Sequence, residues 1–154
     1  MRARTSSWFE VDVRYRKVDE DGVEKPITER YVVDSLSFSE GEASAIEEVK
    51  TYVSGGELSV KKMNPAAYRE IFFSDADTDD RWYKAKLKFM HLNEKTNKEE
   101  FSTTTYLVQG SSLESAVKNV KDIMDGTMID YSFVSMAETK IMDVFEHSVP
   151  VNPE

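Results

Sequence analysis

Hydrophobic and polar positions alternate strictly in two stretches of the chain. They are Trp8-Phe9-Glu10-Val11-Asp12-Val13-Arg14-Tyr15 and Trp82-Tyr83-Lys84-Ala85-Lys86-Leu87-Lys88-Phe89. Successive side chains of a strand point to opposite faces, so each stretch predicts a strand buried on one side. The predicted buried sets are Phe9, Val11, Val13, Tyr15 and Tyr83, Ala85, Leu87, Phe89. The opposite faces carry Trp8, Glu10, Asp12, Arg14, Arg16 and Trp82, Lys84, Lys86, Lys88.

The features that follow these strands recur in the same order. Asp19-Glu20-Asp21-Gly22 and Asn93-Glu94-Lys95-Thr96-Asn97 predict hairpin turns. Second strands are expected around 27–34 and 101–109. Ser39-x-x-Glu42 and Ser111-x-x-Glu114 fit a helix-capping box. Ile46, Val49, Val53 and Val117, Val120, Met124 then share helical faces. Gly55 and Gly126 stand where a left-handed helix end belongs. Third strands are expected at 57–63 and 128–136, with short apolar endings at 70–73 and 141–145. Pro65 argues against one unbroken strand through 57–73.

The resulting expectation is an α+β fold of two tandem similar ββαβ units with a short extra strand. Each unit is an antiparallel sheet with one packed helix, and a pseudo-two-fold relates them. The first repeat is expected at 8–73 and the second at 82–145. Residues 74–81 form an acidic linker, residues 1–7 and 148–154 are flexible tails, and the whole makes one compact domain.

Composition narrows the chemistry. The 154 residues include no cysteine, which removes disulfides, thiolate catalysis and cysteine zinc sites. Neither a leader-like apolar region nor a run long enough to span a bilayer is present, so a cytoplasmic protein with no membrane partner is expected. The net charge of −9 opposes nucleic acid globally but leaves room for a local basic patch. Asp75, Asp77 and Asp79 resemble the start of a calcium loop, yet Asp80 and Lys86 occupy the positions that want Gly and Glu. His91 and His147 lack a partner at metal-ligand spacing. No nucleophile elbow or phosphate loop occurs. No catalytic residue, metal site or cofactor is therefore expected, and the protein reads as a non-enzyme.

The local feature that does suggest chemistry is the row Trp82, Lys84, Lys86, Lys88. Lysines beside an aromatic suit single-stranded nucleic acid, which offers phosphates and bases to stack. The acidic remainder of the chain favours reading the same row as a solvated face that discourages sheet association.

Segments 8–15, Tyr31-Val32-Val33-Asp34-Ser35-Leu36-Ser37-Phe38, Glu70-Ile71-Phe72-Phe73, Gly126-Thr127-Met128-Ile129-Asp130-Tyr131 and Glu138-Thr139-Lys140-Ile141-Met142-Asp143-Val144-Phe145 together resemble an uncharacterised family. Its members are short proteins of gut Bacteroidota and their phages, crAss-like ones included. The resemblance spans residues 8 to 145 and implies no activity, only a link to phage or mobile-element biology. Three functions are expected, in this order. The first is a non-catalytic binding protein with a protein partner. The second is a binder of single-stranded DNA or RNA through the lysine face. The third is a ligand or enzyme site between the halves.

Overall fold

The computed structural model describes residues 1–53 and 57–147. In chain order the strands are β1 (Arg2–Arg4), β2 (Trp8–Val18), β3 (Glu24–Asp34), β4 (Ser59–Ala66), β5 (Ile71–Phe73), β6 (Arg81–Asn93), β7 (Lys98–Gly110), β8 (Tyr131–Glu138) and β9 (Ile141–Phe145). The helices are α1 (Phe38–Lys50) and α2 (Leu113–Met124), the latter followed by a 3-10 turn at Asp125–Thr127. The fold is α+β, as the alternation and helix faces predict.

Two compact units form. The N unit comprises Ser6–Ala66 and the segment from Lys140, and the C unit comprises Met1–Thr5 and Ala67–Thr139. The N unit holds a four-stranded sheet in the order β4-β2-β3-β9, with α1 on one face. Phe9, Val11, Val13, Tyr31 and Val33 meet Ala45 and Val49 there. The C unit holds the five-stranded sheet β1-β5-β7-β6-β8, whose residues Tyr83, Ala85, Leu87, Tyr106 and Val108 meet Ala116, Val120 and Met124 of α2. Both helices centre on an alanine four residues before a valine, which lets helix and sheet approach closely. Ile46 and Val117, expected at the centre of those faces, are only half-buried.

The two short strands go where a tandem arrangement does not put them. β5 pairs parallel with β7 in the C unit, and β9 pairs parallel with β3 in the N unit. The sheets are therefore mixed, not antiparallel throughout. Packing accounts for the exchange. Phe72 of β5 is fully buried and stacks on Tyr106 at 5.0 Å, while Phe145 of β9 stacks on Tyr31 at 5.2 Å. A backbone N–H just beyond each strand then locks it. Ser74 N–H donates to Gln109 Oε1 at 2.9 Å, and His147 N–H donates to Asp34 Oδ1 at 2.6 Å.

The leading residues are not a free tail. Arg2–Arg4 extends antiparallel along β5, the Arg2 guanidinium lies 4.1 Å from the Phe73 ring centroid, and the terminal amine meets Asp75 at 3.1 Å. The segment 74–81 is likewise pinned. Asp79 is buried and accepts hydrogen bonds from the Ser74 hydroxyl and from Asn119 Nδ2. A buried carboxylate needs such donors, so its partners fix the connection. The expected tail 148–154 and the expected helix end at Gly55 lie outside the described residues.

Local signals shift by one or two residues. The helix caps are Ser37 and Ser112 rather than Ser39 and Ser111, and Ser115 supplies the reciprocal bond of the second capping box. After α2 the left-handed residue is Met128, with φ 58°, not Gly126. The extra 3-10 turn delays the reversal by two residues. Pro65 lies in β4, an edge strand, where its missing N–H costs no ladder bond.

Candidate functional site

β6 runs through the C unit with β7 on one side and β8 on the other, so its outward side chains gain neighbours from both. Lys84, Lys86 and Lys88 all stand exposed on the sheet face opposite α2. Alternate residues of a strand lie about 7 Å apart, so the three lysines rise from one line along the same face. The register places Thr105 beside Lys86 and Thr103 beside Lys88 on β7. On β8 it places Ser135 beside Lys86 and Ser132 beside Lys88, with a bulge between. Around Lys86 and Lys88 the face thus alternates ammonium groups with hydroxyls, all capable of donating to an anion, while Lys84 lies between Leu107 and Ala137.

None of the three lysines has an ion-pair partner among the described residues. The protein has 29 acidic side chains to spend, so this vacancy of counter-charge is informative. The corresponding face of the N unit is the contrast. There Arg30 binds Asp12 through Nε at 2.8 Å and Nη2 at 3.3 Å, and reaches Glu10 at 3.8 Å. Arg30 is thus neutralised on its own sheet, whereas Arg14 and Arg16 on that face are exposed like the lysines.

Aromatic rings flank the row. Lys88 Nζ lies 4.3 Å from the ring centroid of Phe101, and Lys84 Nζ lies 5.7 Å from that of Tyr68. Phe101 is 55% exposed and Tyr68 is buried. Trp82 departs from its expected role. It is 2% exposed, packs edge-on against Phe73 at 5.6 Å, and its carbonyl accepts from Thr139 N–H and Oγ1 at 2.9 and 2.8 Å. A ring fixed this way closes the end of the sheet and offers no stacking surface; the exposed ring beside the row is that of Phe101. Finding Phe101, Tyr68 and the hydroxyl rows required the strand register. The run Ser102-Thr103-Thr104-Thr105 was their only signal in the sequence.

The remaining sequence candidates are placed as follows. His91 pairs with Glu100 across the β6–β7 hairpin at 3.2 Å, and His147 Nε2 lies 3.0 Å from Glu48 of α1. Asp75 and Asp79 of the calcium-like segment are engaged by the terminal amine and by Ser74 with Asn119. Among the described residues no three metal-ligating side chains converge. Several tyrosines are held neutral. Burial, then the hydrogen bond to Glu29, pushes Tyr15 up to about 12, and burial raises Tyr31 and Tyr106. No described helix is long and apolar enough to cross a membrane.

No curated protein and no solved structure matches the chain. A family model does match, over residues 7–147, and so takes in both sheets, both helices and the lysine face. The chain belongs to the family of the domain of unknown function DUF4494.

Proposed function

We propose that this is a non-catalytic binding protein that holds single-stranded nucleic acid on the open face of the C unit. The observation that carries the reading is the row Lys84, Lys86, Lys88, in which Lys86 and Lys88 lie between threonine and serine and none of the three has an ion-pair partner among the described residues. Its spacing of about 7 Å suits successive phosphates of an extended strand. Phe101, exposed at the edge of the row, supplies a face for a base. Lysine contacts of this kind fix register without reading sequence, so weak base preference is expected. The test is fluorescence anisotropy with labelled single-stranded DNA and RNA. Binding that survives Lys→Glu substitution at positions 84, 86 and 88 together would remove this face from consideration.

A protein partner is the second reading, favoured by one difference between the sheets. β1 covers the outer edge of β5, whereas β9 has no second strand beside it among the described residues. An unpaired parallel edge can accept a strand from another chain. A photo-crosslinking residue at Met142, half-exposed on β9, tests this. Adducts absent there, while present on the lysine face, would count against it.

We also propose that the units are diverged copies of one ββαβ ancestor with exchanged final strands. The β-bulges fall between Asp12 and Val13 and between Lys86 and Leu87. The tyrosine–phenylalanine stacks, the two strand-locking hydrogen bonds and the Ala45/Val49 and Ala116/Val120 pairs likewise recur at matching places. Such details are not demanded by a ββαβ plan, so common descent explains them better than convergence.

A further inference from the structure

On the side of the C-unit sheet opposite the lysines, β6 and β7 run past the end of α2 and leave a pocket of about 580 Å³. That volume falls within the range of small-molecule sites. One wall is apolar, built from Phe89, Ile123, Met124 and Ile129. The other is polar and carries Arg69, Glu70 and Tyr106. The backbone fixes this wall from both sides, since Arg69 N–H donates to Thr105 O at 2.9 Å and Glu70 O accepts from Leu107 N–H at 3.3 Å.

Arg69 and Glu70 are adjacent and opposite in charge, yet neither has an ion-pair partner among the described residues. Arg69, Glu70 and the Tyr106 hydroxyl line the same wall of the pocket. Burial raises the Tyr106 proton affinity, so that hydroxyl remains a donor across the physiological range. The wall therefore offers a carboxylate site, made of a guanidinium fork and a phenolic O–H, beside an ammonium site. An apolar surface completes the pocket.

We propose that this pocket binds an α-amino acid with an apolar side chain, as the zwitterion. Its carboxylate lies on Arg69 and Tyr106, its ammonium on Glu70, and its side chain against Phe89 and Ile123. Both charges of the ligand are needed, because filling only one half would leave the other protein charge desolvated without a partner.

The test is isothermal titration calorimetry on the full chain with L-phenylalanine and L-leucine. 3-Phenylpropionate, which lacks the amine, and phenethylamine, which lacks the acid, serve as truncated ligands. Saturable binding of L-phenylalanine is expected, at least about tenfold tighter than either truncated ligand. Arg69→Gln should erase its advantage over phenethylamine, and Glu70→Gln its advantage over 3-phenylpropionate. Arg69 is exposed and Glu70 half-buried, and unchanged melting would confirm that the variants fold. Absence of heat with both amino acids at millimolar concentration overturns the proposal. So does binding of either truncated ligand as tight as that of L-phenylalanine.

Discussion

Phe145 follows the C unit in the chain but completes the N unit, and a single truncation can expose that arrangement. The ring is 8% exposed and stacks on Tyr31 at 5.2 Å within the cluster of Phe9, Val11 and Val49. Truncating a buried phenylalanine to alanine costs about 3–5 kcal/mol, from lost transfer energy and the cavity left behind. The slight exposure of Phe145 favours the lower end, about 3 kcal/mol. That is a large fraction of the roughly 5–15 kcal/mol that stabilises a domain. At about 1.4 kcal/mol per decade it corresponds to a hundredfold rise, approximately, in the open population. Amide hydrogen exchange read by mass spectrometry localises the effect. Phe145→Ala should speed exchange about a hundredfold in residues 8–18 and 24–34, more than a hundred positions upstream. Phe72→Ala, at a fully buried ring on Tyr106, should do the same in 81–93 and 98–110, although Phe72 follows the N unit in sequence. Acceleration by Phe145→Ala confined to 81–110 would refute the exchange and restore a tandem arrangement.

The lysine face makes a quantitative claim about salt. Each phosphate neutralised on a single strand contributes about −0.7 to the slope of log affinity against log salt. Three lysines thus give a slope of about −2, a loss of about 20-fold between about 50 and 200 mM salt. Lys→Gln at 84, 86 and 88 should flatten that slope, and an unchanged slope would place the contacts elsewhere. Met128 is 94% exposed and holds φ 58°. Met128→Gly should relieve left-handed strain for a net gain of about 0.5–1 kcal/mol, seen as a melting point a few degrees higher. A lower melting point would show that the turn is not strained. Tyr15 is raised to about 12 by burial and by Glu29, so folding favours its neutral form. Its contribution is full below pH 10, the ordinary value, and is lost as pH climbs toward 12. Stability should therefore fall between pH 10 and 12, and more shallowly in Tyr15→Phe. An identical fall in both proteins would exclude Tyr15 as a contributor.

The parts legible in the sequence were those decided by local periodicity. Val11, Val13, Ala85 and Leu87 alternate with charged residues, and each is fully buried as that alternation requires. The turn at Asp19–Gly22 was readable because Asp19 Oδ1 accepts from two nearby backbone N–H groups and Gly22 takes φ 78°. The caps were misplaced because serines crowd both helix starts, at 35, 37, 39 and at 111, 112, 115. Only the backbone conformation at Ser37 and Ser112 separates them. The destinations of β5 and β9 could not be read at all. Ile71-Phe72-Phe73 and Val144-Phe145 are apolar whichever sheet they join, so periodicity carries no information about their partner. What selects the partner is the fit of a phenylalanine ring on a distant tyrosine and one hydrogen bond beyond the strand.

The lysine face divides along the same line. That Lys84, Lys86 and Lys88 share a side follows from the two-residue period alone. Whether the row is a site depends on what stands beside it, and that is a property of register. The sequence supplies enough carboxylates to neutralise every lysine, and on the N-unit sheet Asp12 and Glu10 do so for Arg30. On the C-unit sheet, positions beside the lysines hold Thr103, Thr105, Ser132 and Ser135. Hydroxyls beside Lys86 and Lys88, and Leu107 and Ala137 beside Lys84, add no negative charge and leave the ammonium groups able to donate outward. A row that served only to keep the face soluble would gain from alternating signs, as the N unit shows. Three lysines without an ion-pair partner among the described residues make a local cationic row in a protein of net charge −9. If the proposed nucleic-acid reading holds, that local positive charge is what would steer an anionic chain to this face.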